Sequence, residues 1–173
     1  MLERRATGEG LETMADEQTG DAATPRMQNL TQYIRDLSFE NIAIQKGFIS
    51  SEGKPDIKVQ FGIDAQQKAA EHYEVTLKVK VESEIAQTPI FILELDYGGL
   101  FHLQNVPQEQ IHPLLMIECP RMMFPFLRRI VSDVTRDGGY PPLNLDQVDF
   151  LALYRNEVMR RQAESGESAP AQA

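Results

Sequence analysis

One cysteine, three histidines and no tryptophan leave this 173-residue chain with little of the chemistry from which enzymes and metal sites are built. With Cys119 alone, no intrachain disulfide can form and a cysteine-rich zinc site is excluded. His72, His102 and His112 have neither the HExxH spacing nor another metal-ligand pattern, and His72 reads as a solvated residue opening a strand. Cys119 lies at a helix start, but amid apolar residues and without an obvious base, so it reads as a buried structural thiol. Ser38, Ser50, Ser51 and Ser83 lack a nucleophile-elbow context, and Gly98-Gly99 belongs to no phosphate-binding loop. No catalytic constellation can be assembled, and no cofactor or metal is called for.

Positive charge is also scarce. Lys and Arg number 17 against 26 Asp and Glu, a formal charge of −9, which argues against nucleic acid and anionic membranes. No apolar run approaches the roughly 20 residues of a membrane span. Arg4-Arg5 has no apolar segment behind it, so it is not a secretory signal. A cytoplasmic address fits these absences.

The polar ends, 1–28 and 163–173, read as disordered tails around one domain at 29–162, and Met14 is a second possible start. Four strands are expected within the domain. Asp36 to Ile44 is the least regular, since Ile42 and Ile44 break the parity of Leu37 and Phe39, which suggests a bulge or bend. A turn over Ser50–Pro55 leads to Asp56–Ile63, with Ile57, Val59, Phe61 and Ile63 on one face. His72–Glu84 alternates most cleanly. Ile90–Tyr97 places Phe91, Leu93, Leu95 and Tyr97 on one face and Ile90, Ile92, Glu94 and Asp96 on the other, and Gly98-Gly99 ends it. Apolar residues on both faces imply a partner on each, and self-association is the simplest use of the second.

Punctuation is densest after Cys119. Pro120 suits a first helical turn. Met123, Leu127, Ile130, Val131 and Val134 recur at helical spacing, with Pro125 bending the helix and Gly138 ending it in a left-handed conformation. A rigid apolar turn follows, and a second helix opens near Asp146. Strands first and helices afterwards give an α+β fold, a four-stranded antiparallel sheet with a long kinked helix and a C-terminal helix packed on one side.

Two surfaces stand out. Ile57, Val59 and Phe61 with Phe150, Leu153 and Tyr154 form either core or an apolar groove between the second strand and last helix; Met122, Met123 and Met159 are near enough in sequence to contribute. Asp36, Glu40 and Glu94, with Ile92, form either a solvated face or an acidic docking patch for a basic partner.

Cys119-Pro120, Phe124-Pro125, Arg136-Asp137-Gly138, Pro141-Pro142-Leu143-Asn144-Leu145 and Val148-Asp149-Phe150 follow one another in an ordered set that resembles the C-terminal half of the SecB family of bacterial export chaperones. Asp36-Leu37-Ser38-Phe39-Glu40 and Tyr73-Glu74-Val75 extend the likeness to about 36–154. The resemblance implies an ATP-independent homotetrameric chaperone, a dimer of dimers. It holds unfolded preproteins in the cytoplasm and passes them to the translocation ATPase SecA, without nucleotide or metal for client binding. It assigns SecA contact to Asp36, Glu40, Ile92 and Glu94, and the client groove to Ile57, Val59, Phe61, Phe150, Leu153 and Tyr154. Subunit contacts fall on the first strand and long helix, with Leu93, Leu95, Tyr97, Met123 and Leu127 as candidates. Two departures are visible: no tryptophan precedes the second strand, where Gly53 and its neighbours stand, and the C-terminal tail is only weakly acidic. The alternative is a nonenzymatic lipid- or small-ligand-binding domain using the same groove.

Overall fold

All four long strands precede all the long helices, so the helices come back over only one face of the sheet. The computed structural model describes residues 24–47 and 53–167. The expected tails fall outside these over 1–23 and 168–173, as do the Met14 start and Ser50–Glu52 of the expected turn. The elements are β1 (Arg26–Glu40), a short α1 (Ile42–Gln45), β2 (Asp56–Ala69), β3 (His72–Ile85), β4 (Thr88–Gln104), α2 (Gln108–Pro113), a π-helical segment (Leu114–Glu118), α3 (Cys119–Asp137) and α4 (Phe150–Glu167). The strands form one antiparallel sheet in the order β1-β4-β3-β2. This is the α+β architecture that the sequence predicts.

Cross-strand register divides the residues between the two faces. Phe39, Leu93, Val81 and Val59 share one row, and Leu37, Leu95, Val79 and Phe61 the next. Both rows look toward the helices. Val79, Val81, Leu93 and Leu95 are buried there beneath Met123, Phe124, Leu127 and Val131, the apolar stripe of α3. Thus Leu93, Leu95, Tyr97, Met123 and Leu127 are the core of a single chain, 0–7% exposed, and present no surface to another subunit. That corrects their expected place in an oligomer interface. Among the apolar residues left exposed, Leu30, Ile34 and Leu37 lie on β1 and Met122 and Phe126 on α3.

Several boundaries move. β1 begins at Arg26, inside the expected tail, because register shifts at Asn29/Thr31 and Ile34/Asp36 scramble the alternation that would reveal it. Ile42 and Ile44 lie in α1, which explains their broken parity. β2 continues to Ala69 through a polar stretch. Gly98-Gly99 lies inside β4, which runs on to Gln104. Ile90 is buried where β3 and β4 lose register, so β4 is less apolar on its outer side than alternation suggests.

The long helix has a lead-in through α2 and the π segment, which follows directly on Pro113, a residue without an amide N–H for the helical ladder. Gly138 keeps a helical φ of −72°, and the left-handed turn falls on Gly139 at +89°. A side chain at Gly138 would meet the Phe39 ring at 2.5 Å, so close approach is what requires glycine there. α4 starts at Phe150 rather than near Asp146, with Asp149 capping it: Asp149 Oδ1 accepts from the Ala152 N–H at 3.0 Å.

On the outer face, the Glu74 carboxylate of β3 ties the sheet together. Tyr33 of β1 donates to it across Gly98, Lys68 of β2 pairs with it at 2.7 Å, and Arg35 of β1 approaches it at 3.4 Å. The side chain is 10% exposed, and the Lys68 and Tyr33 hydrogen bonds hold its pKa below the ordinary glutamate value. A depressed folded-state pKa means that this stabilisation is complete above the usual value of 4.5 and lost as pH falls through the folded value. Glu74→Gln is expected to destabilise the fold at neutral pH by about 1–2 kcal/mol. The difference from wild type should shrink below about pH 4. Urea denaturation at both pH values checks this, and a gap that widens in acid would contradict it.

Candidate binding surfaces

On the helix side, β2 is the edge strand, and α3 leaves part of its apolar row uncovered. Ile57 is 38% exposed and Val59 37%, whereas Phe61 is half-buried with its ring edge-on to Phe124 at 6.1 Å. Across from them, Leu153 of α4 is 37% exposed and Tyr154 half-buried, its hydroxyl 3.3 Å from His112 Nδ1. Phe61, Leu153 and Tyr154 meet around a hollow of about 390 Å³ that also takes in Met116 and the Arg160–Glu157 pair. Arg160 and Arg161 hold the Glu157 carboxyl down to about 2, so the rim of this hollow stays charged across physiological pH. The structure therefore brings five of the six expected groove residues to one apolar edge. Phe150 stands apart: it is fully buried and packs edge-on to Phe124 at 5.8 Å, as a core residue beneath the groove. Met123 is core and Met159 is exposed on α4, while Met116 is the methionine that lines the hollow.

A second hollow of about 480 Å³ continues the edge past Ile57, between α1, the β3–β4 hairpin and the loop at 138–143. Ile44, Pro55, Ile85, Ile90, Tyr140 and Leu143 are among its walls, and the sequence reading missed this part of the surface. Its roof is anchored. Asn41 Nδ2 donates to the Gly138 carbonyl at 2.8 Å, the Tyr140 hydroxyl donates to Asn41 Oδ1 at 2.5 Å, and the Leu143 N–H donates to Thr135 Oγ1 at 2.9 Å. The legible signal was the parity break at Ile42 and Ile44 beside an apolar Pro-Pro-Leu-Asn-Leu turn. Placed on a helix, Ile44 is freed from the strand alternation and is 64% exposed.

The outer face is different in kind. Glu40 pairs with Ile92, Ser38 with Glu94, and Asp36 with Asp96, so Asp36, Glu40, Ile92 and Glu94 occupy three consecutive rows on the β1–β4 half of that face. Asp36, Glu40 and Glu94 are exposed and Ile92 is half-buried. The β2–β3 half carries lysines, each with an acidic neighbour: Lys58 with Glu84 at 2.7 Å, Lys78 with Asp64 at 2.7 Å and Lys80 with Glu82 at 2.8 Å.

The remaining polar groups among the described residues are held in local contacts. His72 stacks on His102 across the β3–β4 pair, with centroids 4.4 Å apart, rather than standing free in solvent. Cys119 lies 3.7 Å from the Met27 sulfur, and burial pushes its thiol up to about 12, away from a reactive thiolate. Among the described residues no three His, Cys, Asp or Glu are placed to hold a metal ion, and no helix is long and apolar enough to cross a membrane.

The family model described as preprotein translocase subunit SecB matches residues 20–161. The chain belongs to the SecB family. A protein-export protein SecB from Paracoccus denitrificans is 56% identical over 165 residues, covering 86% of this chain and 93% of that protein. The SecB of Jannaschia sp. is 52% identical over 169 residues, covering 95% and 96%. Among solved structures, a SecB-like chaperone from Mycobacterium tuberculosis, captured with an antitoxin peptide, matches with a TM-score of 0.60 over 71% of this chain and 91% of that one. At 15% identity that likeness speaks to the fold alone, and it agrees that the SecB architecture is present here.

Within this SecB chain, core and groove residues should separate cleanly on mutation. Phe150→Ala is expected to cost about 3–5 kcal/mol, since it empties a packed aromatic site. Leu153→Ser should stay within about 1 kcal/mol. Denaturation curves decide the matter, and a large loss from Leu153→Ser would return that residue to the core.

Proposed function

We propose that this chain is an ATP-independent protein-export chaperone that holds unfolded preproteins along the apolar edge from Ile44 and Ile57 to Leu153 and Tyr154, and delivers them to SecA through the opposite face. The observation that carries this reading is the exposure of Ile57, Val59 and Leu153 on one edge of an otherwise well-buried SecB fold. Exposed apolar side chains flanked by hollows suit extended segments of many sequences, because apolar contact is non-directional and needs no fixed partner geometry. The chaperone works in the cytoplasm, where its clients are made, and carries out no chemistry of its own.

SecA meets the acidic rows of the outer face, Asp36, Glu40, Ile92 and Glu94. The opposite sides of one sheet keep client and SecA from competing for the same residues. Asp36→Ala with Glu94→Lys is expected to weaken SecA binding several-fold, chiefly through slower association at low salt, with client affinity unchanged. Ile92→Ala should weaken SecA with less change in salt dependence. Surface binding at several salt concentrations, beside a client titration, provides the check; an unaltered SecA affinity in the charge double variant would remove the assignment.

The working form is a homotetramer, a dimer of dimers. Its support is the unpaired edge of the 15-residue β1, with Leu30, Ile34 and Leu37 exposed along it, and the outward Met122 and Phe126 of α3. Light scattering should give about four times the 19.6 kDa chain mass. A monodisperse monomer at micromolar concentration would overturn it.

The hollow of about 480 Å³ is also of the size that takes a small apolar ligand. A lipid-binding domain would bind such a ligand and ignore the difference between folded and unfolded proteins. The chaperone binds many unrelated unfolded chains and not their folded forms, and one titration series separates the two.

A further inference from the structure

We propose that Lys80 is a built-in competitor at the acidic docking face, occupying Glu94 until a cationic group of the partner displaces it. The inference rests on the reading of that face as the SecA site, and concerns how its charge is held in reserve. Three observations lead to it. Lys58 and Lys78 are drawn toward acids outside the patch, Glu84 and Asp64, whereas Lys80 reaches into it, 3.6 Å from Glu94. Lys80 also keeps a shorter contact, 2.8 Å to Glu82 of its own strand, so it has a second carboxylate to retain when Glu94 is taken from it. Finally, Asp36 and Asp96 have no cation within ion-pair distance among the described residues, and together with Glu94, Lys80 and Lys78, the last of these turned toward Asp64, they border a shallow hollow of about 420 Å³.

The physical consequence is a patch whose acids differ in availability. A basic side chain approaching Asp36 meets a carboxylate with no ion-pair partner among the described residues, whereas Asp96 is opposed at longer range by Lys78 across the β3–β4 pair. One approaching Glu94 must exchange with Lys80, whose ammonium swings fully onto Glu82. Because the exchange replaces one exposed ion pair by another, it costs little once a partner cation is in place, yet it lowers the field felt by cations arriving from solution. Lys80 is therefore a specificity-determining residue: a single stray cation gains little at Glu94, while a partner that engages Asp36 and Glu94 together gains the pair.

Removing the competitor should strengthen the site, the reverse of what truncating a contact residue does. Lys80→Gln is expected to tighten SecA binding by about two- to fivefold, mainly by faster association at low salt. Lys80→Arg, which keeps the charge, should remain within about twofold of wild type. In a Glu94→Gln background the gain from Lys80→Gln should fall by more than half, since the carboxylate it frees is gone. Client binding on the other side of the sheet serves as the folding control. Unchanged or weaker SecA binding by Lys80→Gln, while Asp36→Ala with Glu94→Lys still weakens it, would overturn the competitor and leave the docking face intact. If that double variant also has no effect, the face itself is misassigned and the proposal falls with it.

Discussion

The absence of side chains at two adjacent positions in the middle of β4 sets what both sides of the sheet can do. A Cβ on Gly98 would stand 2.6 Å from the Tyr33 ring, and one on Gly99 would stand 2.8 Å from the Phe101 ring and 3.1 Å from the Met123 sulfur. Gly98 lets Tyr33 lie flat over β4 and reach Glu74 on the next strand, locking the edge strand β1 across its neighbour. Gly99 lets Met123 of α3 come down onto the inner face, and with it Phe124, Leu127 and Val131. Close approach on both faces at one point follows from glycine's missing side chain.

From that contact the division of surfaces follows. α3 crosses the inner face and buries Leu93, Leu95 and Tyr97, but it leaves the outer half of β2 bare, so Ile57 and Val59 stay in contact with water. α4, capped by Asp149 and anchored through Phe150, supplies Leu153 and Tyr154 as the facing wall. The loop between the two helices, tied by Asn41 and Thr135, closes the far end. Among the described residues no helix remains to cover the outer face, which is polar for that reason; the lysines of β2 and β3 are paired with acids of those same strands, while Asp36, Glu40 and Glu94 lie on β1 and β4.

Much of this was legible in the residues and some was not, for physical reasons. The uninterrupted alternation of β3 and the 3–4 spacing of α3 reveal their elements because each buries one face against one partner. β1 hides because two register shifts change which residues face inward. Gly98-Gly99 reads as a strand end, since nothing in a sequence distinguishes a glycine needed for a turn from one needed for close approach. Alternation placed Asp36, Glu40, Ile92 and Glu94 on one face correctly, and it also marked Leu93, Leu95 and Tyr97 as apolar. It could not say whether an apolar face is buried within the chain or between chains, and it could not separate Phe150 beneath the groove from Leu153 on it, three residues away.

On the proposed function, clients occupy the β2–α4 edge on the helix side and leave the outer face free. Methyl NMR of the assembled protein, titrated with an unfolded preprotein, tests this most directly. The signals of Ile57, Val59 and Leu153 should shift or broaden while that of Ile92 stays in place. A perturbation centred on Ile92, with the other three unmoved, would contradict it.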